Sequence, residues 1–455
     1  MSDRLKIYNT AARKVENFKP LGEVVKIYTC GPTVYNFQHI GNYASYIYWD
    51  LLVRTLMMDG YEVRRVLNFT DVGHLTSDGD SGEDKLEKGA AREGRTVWEV
   101  AEFYEDDFMR NFRDLRLVEP EVLARATDYI EDDMKAVDEM TAGGFTYKTT
   151  DGVYFDTSKF SGYADFARLD LAGLQAGARI CFSEEKRNCS DFAVWKFIQP
   201  GEKHAMRWDY LGRPGYPGWH LECSTIIHKE LGEPIDIHTG GIDHVPVHHT
   251  NEIAQTYAMT GRELAKYWLH CNFITIDGEK VSKSLGNVYT LDDLAERGFS
   301  AMDFKMWVLS GHYQGTRNFT FESLEGAKAR RLNWRNRIAL LYQDAGLSQS
   351  PEKKGDFGEI LAAVNNNLGS PEAFAIIDTG VLTMEDWRRV DELFGLSLID
   401  DTPDIDDEMR DLIAERAKAR EAKDWAKSDR LRDLLAEKKI GVKDTPDGPV
   451  WQYTE

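Results

Sequence analysis

The chain has 455 residues, of which 42% are hydrophobic, and its 56 Lys and Arg against 77 Asp and Glu give a formal net charge of −21. This length exceeds one ordinary core, so we expect two to four domains. The negative charge argues against indiscriminate binding of nucleic acid through a positive surface, and no uncharged apolar run approaches the roughly 20 residues that cross a bilayer.

The first recognisable unit is a strand, a helix and a strand near the N-terminus. Residues 24–29 are strand-forming, apolar residues recur with helical spacing over 44–56, and residues 61–70 again predict a strand. This order is typical of a right-handed parallel α/β unit. Residues 39–42 would then form the turn and the first helical residues, where exposed backbone amides favour an anion.

A second unit of this kind follows a long interruption. Residues 119–218 mix helical and strand signals and end in a run rich in glycine and proline, so we interpret them as an insertion. Residues 234–238 predict a buried strand, Gly240 and Gly241 permit close backbone approach, and residues 247–259 predict the next helix. The two units together predict a doubly wound parallel sheet.

The remainder of the chain is mainly helical in pattern. Residues 273–278 predict an extended segment that enters a tight turn, and the helical pattern begins after residue 319. Residues 398–408 combine a proline with dense acid, which indicates a linker. Two helices are predicted beyond it, at residues 409–423 and 425–439, with Asp424 placed to cap the second.

Four residues that suit zinc are spread along the chain. His248 and Glu252 are four residues apart, so a helix would carry both on one face, and Cys30 and Cys223 could join them from loops. Each residue alone is better explained as a small buried side chain or a polar helix residue. The ordered set, with two sulfurs, one imidazole and one carboxylate, favours a zinc site.

Two short motifs indicate a nucleotide. One is His39-Ile-Gly-Asn42, which follows the first strand, and the other is Lys280-Val-Ser-Lys-Ser284, which follows the tight turn. Each motif is weak by itself, because short matches arise by chance and lysine-rich turns are usually exposed surface. Together they favour binding of ATP phosphates by backbone amides and cations.

The sequence resembles the cysteinyl-tRNA synthetase family of class I aminoacyl-tRNA synthetases. The resemblance rests on four segments in the family's order, which are Cys30 to Asn42, Trp219-His-Leu-Glu-Cys223, His248-His-Thr-Asn-Glu252 and Lys280-Val-Ser-Lys-Ser284. It runs from about residue 5 to residue 451. The class patterns are His-Ile-Gly-His and Lys-Met-Ser-Lys-Ser, so Asn42 and Val281 depart from them.

The resemblance implies roles for individual residues. The catalytic residues would be His39, Asn42, Lys280 and Lys283. ATP would be bound by these four with Gly41, Gly240, Gly241 and Asp243. Cysteine would be bound by Gly31, Thr70, Trp219 and His238, and the zinc ligands would be Cys30, Cys223, His248 and Glu252. The tRNA contacts would come from Arg430, Arg432, Asp444 and Trp451, although Trp451 could instead cover a small core.

The fold that the resemblance implies is α/β, with a class I Rossmann-like doubly wound parallel sheet, an inserted domain, a helical bundle and a small C-terminal anticodon-binding domain. The expected divisions are 1–118 for the first half of the catalytic domain, 119–218 for the insertion, 219–272 for the second half, 273–320 for the region of the lysine loop and stem contact, 321–400 for the bundle and 409–455 for the anticodon-binding region.

The activity that the resemblance implies is ATP-dependent activation of L-cysteine to cysteinyl adenylate, followed by transfer to the 3′ end of tRNA(Cys). The need to reject serine explains the zinc. Zinc favours the cysteine thiolate and holds its sulfur at about 2.3 Å, whereas a pocket that recognises shape alone often discriminates between similar side chains by only about 1–3 kcal/mol. We expect one Zn²⁺ per chain and Mg²⁺ with ATP. The resemblance also implies a monomer.

Two other functions stay open at this point. A cysteine ligase that passes the adenylate to a small amine of an aminosugar would need the same catalytic residues, and a noncatalytic tRNA-binding homologue would keep the fold. The C-terminal segment favours a function with tRNA. Residues 411–455 carry ten basic and ten acidic residues, so this segment is neutral and the net negative charge of the chain lies before it. Without a secretory signal or a disulfide-like cysteine pattern, a soluble cytoplasmic protein without membrane partners is expected.

Overall fold

The structure is a computed structural model that describes residues 4–72, 85–169, 185–202, 204–281, 286–343 and 356–454. Lys283, one of the predicted catalytic residues, lies outside the described residues. Among those described, no helix combines the length and the apolar character that crossing a membrane requires.

The strands are distributed along the chain, except between Phe321 and Glu437, where the described residues form helices and connecting loops. In chain order they are β1 (Lys6–Asn9), β2 (Lys14–Asn17), β3 (Val24–Thr29), β4 (Glu62–Phe69), β5 (Val122–Arg125), β6 (Thr146–Lys148), β7 (Gly152–Phe155), β8 (Phe192–Phe197), β9 (Trp208–Tyr210), β10 (Arg213–Pro217), β11 (Ile235–Gly241), β12 (Ala265–Cys271), β13 (Ile274–Ile276), β14 (Glu279–Lys280), β15 (Arg317–Phe319), β16 (Ile440–Thr445) and β17 (Gly448–Tyr453).

Helices connect the strands and fill the region between β15 and β16. They are α1 (Ile40–Met58), α2 (Lys85–Glu93), α3 (Val97–Asp114), α4 (Ile130–Ala142), α5 (Leu221–Glu230), α6 (Thr250–Thr260), α7 (Leu291–Glu296), α8 (Ala301–Leu309), α9 (Phe321–Leu340), α10 (Phe357–Asn365), α11 (Ser370–Thr379), α12 (Met384–Phe394), α13 (Asp407–Glu421) and α14 (Trp425–Glu437).

The central sheet is parallel throughout, in the order β12-β11-β3-β4-β5. Because the chain builds outward from β3 through β4 and β5, and then returns to place β11 on the other side of β3, the order reverses between β3 and β11. In doubly wound sheets, ligands bind at such a switch point, beyond the carboxyl ends of the strands. The predicted fold class is confirmed, and β3 has the predicted bounds.

The insertion begins later than the predicted boundary at residue 119. Strand β5 still pairs in parallel with β4, so the central sheet extends to Arg125. The inserted sheet is antiparallel, with the order β6-β7-β8-β10-β9. A strand of four residues at a sheet edge carries too little periodicity to be separated from its surroundings by sequence alone.

The C-terminal unit contains the two predicted helices and an unpredicted hairpin of β16 and β17. Asp424 caps α14 as expected, since its side chain accepts a hydrogen bond from the backbone amide of Lys427. The predicted linker is not free chain, because Leu398 and Thr402 are fully buried within it. It is therefore packed against the helices that it follows.

The free thiols include Cys30, Cys223 and Cys271, all of them buried. Cys189 is in a disulfide bond, which the scattered cysteine pattern did not predict. Disulfide formation depends on which cysteines the fold brings together, and sequence spacing does not reveal this.

A buried acid in α4 predicts an unusual pH dependence of stability. Asp133 is fully buried, and no described residue makes a well-formed hydrogen bond to its carboxylate, although the nearby Thr225 hydroxyl favours the charged form. Burial raises the pKa of Asp133 from 3.8 to about 8. Between these values the folded protein holds a proton that the unfolded chain has released, so this contribution to stability falls as the pH rises.

We therefore expect Asp133→Asn, which mimics the protonated acid, to unfold at the same urea concentration as the wild type at pH 4. At pH 8 the variant should be more stable by about 1–3 kcal/mol. Glu139→Gln on the exposed face of the same helix is the control and should show no such divergence. Equal urea midpoints of Asp133→Asn and the wild type at both pH values would contradict the assignment.

Candidate active site

A cleft of about 700 Å³ opens at the switch point of the central sheet. Its walls come from the loop after β3, the start of α1, the end of β11 and the hairpin of β13 and β14. The predicted nucleotide-binding residues that line it are His39, Gly41, Asn42, Gly240, Gly241, Asp243 and Lys280. The predicted ligands Cys30, Cys223 and His248 line the same cleft, so the metal and nucleotide motifs share one space.

The four predicted zinc ligands converge. One ligand atom from each of Cys30, Cys223, His248 and Glu252 lies within 4.8 Å of the others. The Cys223 Sγ is 3.5 Å from Nε2 of His248, and this nitrogen is 2.9 Å from Oε1 of Glu252. Cys30 follows β3 and Cys223 lies in the first turn of α5, so distant parts of the chain supply the two sulfurs.

The backbone around His248 differs from the prediction. A single α-helix was expected to carry both His248 and Glu252, whereas Val245–His249 form a π-helical turn and α6 begins at Thr250. The wider turn changes the direction of side chains relative to an α-helix, and such turns are frequent at functional sites. Thr250 donates a hydrogen bond from its hydroxyl to the carbonyl of Val245 and helps to close this turn.

The electrostatics of the cluster suit a bound cation. A hydrogen bond from Cys30 lowers the pKa of Cys223 to about 6, and burial raises the pKa of Cys30 well above its usual value. Although burial opposes it, the charges of His238 and His248 hold the pKa of Glu252 below its usual value. A thiolate and a carboxylate therefore lie together in the interior.

The surroundings of one carboxylate oxygen of Glu252 indicate whether a metal fits the site. Oε1 of Glu252 is buried and lies 2.9 Å from Nε2 of His248, yet it receives no well-formed hydrogen bond from any described residue. The ion pair with His248 stabilises this buried anionic oxygen, and a bound metal cation would stabilise it further. Together with two sulfurs and an imidazole, this oxygen completes a donor set that fits zinc.

Further histidines, not predicted as ligands, hold the cluster in place. Cys30 Sγ is 3.3 Å from Nε2 of His249, whose Nδ1 is 2.8 Å from Nε2 of His270. His270 Nδ1 in turn lies 2.7 Å from the Thr10 hydroxyl. On the other side, Nδ1 of His220 is 2.9 Å from Nδ1 of His248. The adjacency of His220 and His249 to the motif residues was the available sequence signal, whereas nothing local marked His270.

The predicted cysteine-binding residues surround this cluster. Trp219 stacks on the ring of His248 with centroids 4.9 Å apart, which places its indole beside the predicted metal ligands. His238 is instead hydrogen-bonded to Glu252, with Nε2 2.7 Å from Oε2, so in this structure it orients the Glu252 carboxylate. Gly31 lies close to β4, where a Cβ at this position would come within 1.5 Å of the Asn68 carbonyl oxygen. No other residue type fits there.

Thr70 is held by a hydrogen-bonded row beside Gly31. Its hydroxyl donates to Oε2 of Glu222 at 2.8 Å and receives a hydrogen bond from the Asn68 amide at 3.3 Å. The same Asn68 side chain accepts from the backbone amide of Gly31 at 2.8 Å. Burial raises the pKa of Glu222 well above its usual value, which favours the protonated form of this carboxyl group.

The start of α1 explains the departure at Asn42. The His39 backbone amide donates to Oδ1 of Asn42 at 3.1 Å, and the Asn42 amide donates to Nδ1 of His39 at 3.3 Å. This reciprocal capping uses the asparagine side chain as an acceptor, which a protonated histidine could not be. The helix N-terminus faces the cleft. Its Ile40 amide donates to the Tyr289 carbonyl and its Asn42 amide to His39, so the positive end of the helix dipole is what favours an anion there.

Lys280 lies on β14, just after the predicted tight turn. Asp277 and Gly278 both have positive φ, at 51° and 83°, as a two-residue hairpin turn requires. The exposed Lys280 side chain is thereby brought to the rim of the cleft. The turn is held from β15, because the Asn318 side chain accepts the backbone amide hydrogen of Gly278.

The predicted tRNA-binding residues lie in the C-terminal unit. Arg430 and Arg432 are exposed on α14. Asp444 is paired with Arg416 at 2.8 Å and Arg420 at 3.2 Å. Trp451 is only 3% exposed and packs in the core of the hairpin, so a base could not stack on its ring unless the ring left that core.

Comparisons with known proteins agree with this arrangement. A family model described as the class I (C) tRNA synthetase catalytic domain matches residues 17–329, and one described as the cysteinyl-tRNA ligase anticodon-binding domain matches residues 402–451. Methionyl-tRNA synthetase of Mycobacterium tuberculosis shares the fold, with a TM-score of 0.56 and 16% identity over 83% of this chain and 89% of that one. The fold and the cleft are those of class I aminoacyl-tRNA synthetases.

Similar sequences define the family within that class. The chain is 42% identical to cysteine–tRNA ligase 1 of Burkholderia lata, over 98% of this chain and 96% of the relative. It is 38% identical to cysteine–tRNA ligase of Treponema denticola, over 98% and 99% respectively. The chain belongs to the cysteinyl-tRNA synthetase family, as the sequence motifs predicted.

Proposed function

We propose that the protein activates L-cysteine with ATP to cysteinyl adenylate and transfers the cysteinyl group to the 3′ end of tRNA(Cys). The observation that carries this proposal is the convergence of Cys30, Cys223, His248 and Glu252, the first three of which line the cleft that the nucleotide motif at His39 also lines. An amino-acid thiol can then be selected beside the phosphate that its carboxylate attacks.

Selection of cysteine rests on these four residues, which would hold one zinc ion per chain. Zinc supplies a soft Lewis acid that favours a thiolate over the hydroxyl of serine. Trp219 stacks against His248 and shields this end of the cleft from water. His238 and His249 hold Glu252 and Cys30 through hydrogen bonds of 2.7 and 3.3 Å, so the donor set is oriented before substrate enters.

Adenylate formation needs alignment and charge stabilisation rather than a protein nucleophile. The cysteine carboxylate would attack the α-phosphate of ATP and release pyrophosphate, with Mg²⁺ accompanying the nucleotide. The positive end of the α1 dipole and the His39 side chain would face the phosphates, and Gly240, Gly241 and Asp243 would line the nucleoside side of the cleft. Lys280 and Lys283 would stabilise the charge of the departing pyrophosphate.

Recognition of tRNA(Cys) is assigned to the C-terminal unit. The exposed guanidinium groups of Arg430 and Arg432 on α14 can contact phosphates or unstacked anticodon bases. Asp444, held by Arg416 and Arg420, offers a carboxylate for a base edge. With its ring buried, Trp451 supports this surface by packing.

The test combines zinc analysis with charging assays. The purified protein should contain one zinc per chain, support cysteine-dependent exchange of pyrophosphate into ATP, and charge tRNA(Cys) with cysteine but not with serine. Full cysteine activation without stoichiometric zinc would defeat the zinc assignment. Transfer to an aminosugar with none to tRNA would indicate the small-amine ligase, and absence of exchange would indicate a noncatalytic homologue.

The role of the lysine loop yields a separate prediction. Lys280→Ala should lower the rate of pyrophosphate exchange at saturating ATP by about tenfold, because it removes a cation that stabilises the transition state. The exposure of Lys280 to solvent limits the size of the effect. The matched control is Lys135→Ala on α4, another exposed lysine outside the cleft, which should leave exchange unchanged. An unaltered exchange rate in Lys280→Ala would remove this residue from the mechanism.

A further inference from the structure

Two exposed phenylalanines form a patch beside the rim of the cleft. Phe37 stands in the loop before α1 and is 44% exposed, and Phe103 stands on α3 and is 39% exposed. Their ring centroids are 5.9 Å apart. Tyr104 lies beneath both, with centroids 5.1 Å from each, and is itself buried. We call Phe37, Phe103 and Tyr104, with the neighbouring Arg95, the aromatic patch.

Single exposed apolar residues are ordinary on protein surfaces, but the aromatic patch differs from them in two respects. Arg95 places its guanidinium carbon 4.6 Å from the centroid of Phe103, so a cation accompanies the rings on a chain whose net charge is −21. Phe37 also lines the cleft that contains His39 and the metal-ligand cluster. The patch is therefore continuous with the candidate active site.

The support beneath the patch is rigid. Arg92 donates a hydrogen bond to the Tyr104 hydroxyl at 3.1 Å, and that hydroxyl donates to Glu93 in turn. Tyr104 belongs to α3, whose first turn is fixed by a capping box between Thr96 and Glu99. The Tyr104 ring that supports the two phenylalanines is thus held in position by these hydrogen bonds and by the capped helix α3.

We propose that the aromatic patch receives the unpaired 3′ end of the tRNA by stacking a base on its rings, with Arg95 facing the adjacent phosphate. This inference rests on the proposed function, because only a nucleic-acid acceptor must thread a single strand into this cleft. Aromatic faces flanked by arginine are the surfaces on which single-stranded bases stack. A strand that reaches the metal-ligand cluster past Phe37 passes directly over the patch.

The test measures affinity for two RNAs, intact tRNA(Cys) and the same tRNA without its unpaired 3′ nucleotides. Phe103→Leu keeps an apolar side chain but removes the ring, and Phe103→Tyr restores it. For the intact tRNA, Phe103→Leu should weaken binding by about 5- to 100-fold, and Phe103→Tyr should match the wild type. For the truncated tRNA, all three proteins should bind equally.

The control variant is Trp98→Leu, which removes another exposed ring of α3 outside the patch and should bind the intact tRNA like the wild type. Cysteine-dependent pyrophosphate exchange, which needs no tRNA, should be unchanged in Phe103→Leu. Equal losses with both RNAs, or no loss with either, would overturn the proposal. Sedimentation that shows self-association of the wild type, abolished in Phe103→Leu, would assign the patch to a second copy instead.

Failure of the patch can be distinguished from failure of the proposed function. If the wild type charges tRNA(Cys) and Phe103→Leu charges it equally well, only the patch assignment falls. If the wild type neither activates cysteine nor charges tRNA, the proposed function falls and the patch assignment falls with it.

Discussion

Replacing Cys223 by alanine is expected to reduce bound zinc from one ion per chain to none and to lower cysteine-dependent pyrophosphate exchange by about 1,000-fold or more. Loss of a residue that merely orients a ligand costs about 10- to 100-fold in metal affinity or activity, and removal of a ligand should cost more. The remaining cluster would keep only Cys30, His248 and Glu252, so it would lose one of its four donors and half of its thiolate character.

The matched control is Cys271→Ala, which removes another buried free thiol but no member of the metal-ligand cluster and should keep one zinc per chain. Zinc is measured by atomic absorption on protein dialysed against metal-free buffer, and exchange is measured at saturating ATP. A Cys223→Ala protein that retains stoichiometric zinc and native exchange would refute the ligand assignment. Circular dichroism shows whether the variant has kept its fold.

The second large effect concerns stability. Asp50→Asn is expected to destabilise the protein by about 3–5 kcal/mol, because it leaves the buried ammonium group of Lys305 without a counter-charge. Lys305 is fully buried and its Nζ lies 2.9 Å from Oδ2 of Asp50. The same carboxylate accepts hydrogen bonds from Arg54 at 2.8 Å and from the Val118 amide at 2.7 Å, so it joins α1, α8 and the chain after α3.

The charged partners of Asp50 explain why its replacement should cost so much free energy of unfolding. Burial lowers the pKa of Lys305 to about 8, whereas Lys305 and Arg54 hold the pKa of Asp50 below its usual value against the effect of burial. In Asp50→Asn the lysine keeps the carbonyl oxygens of Leu115 and Arg116 at 3.0 and 3.3 Å and gains only a neutral amide oxygen in place of the carboxylate. Those dipoles solvate a cation less well than a carboxylate does.

Urea-induced unfolding at pH 7 measures the difference. The double variant Asp50→Asn/Lys305→Met should recover at least half of the loss, because it removes the uncompensated charge. Glu119→Gln provides an exposed comparison: its pair with Arg113 has side chains that are 48% and 60% exposed, and its loss should cost less than about 1 kcal/mol. Equal costs for Asp50→Asn and Glu119→Gln would show that the buried pair contributes nothing special.

Local patterns were sufficient for much of the fold. The strand at Val24–Thr29, the helix that follows and the cap at Asp424 were all predicted, since each depends on residues within one or two turns of chain. The hairpin β16–β17 was not predicted. Its strands are stabilised by packing on the distant helix α9, where Tyr453 donates its backbone amide hydrogen to the Asn336 side chain.

The site was predicted less completely than the fold. The motifs named Cys30, Cys223, His248 and Glu252, and the structure brings these four together. They did not reveal that His248 stands on a π-helical turn, because a turn of this kind has no periodicity of its own. Nor did they indicate that His238 holds Glu252, a contact between a strand and a helix that only their packing creates.

The amino-acid sequence alone determined the family, the parallel α/β plan and the residue types available for zinc and phosphate, because these follow from short motifs and from the periodicity of neighbouring residues. The tertiary structure decided which donors meet. The inserted domain separates Cys30 from Cys223 and Glu252 along the chain, and only the return of β11 to the side of β3 brings the three together. Contacts between such distant residues depend on the packing of the entire sheet, which no local pattern encodes.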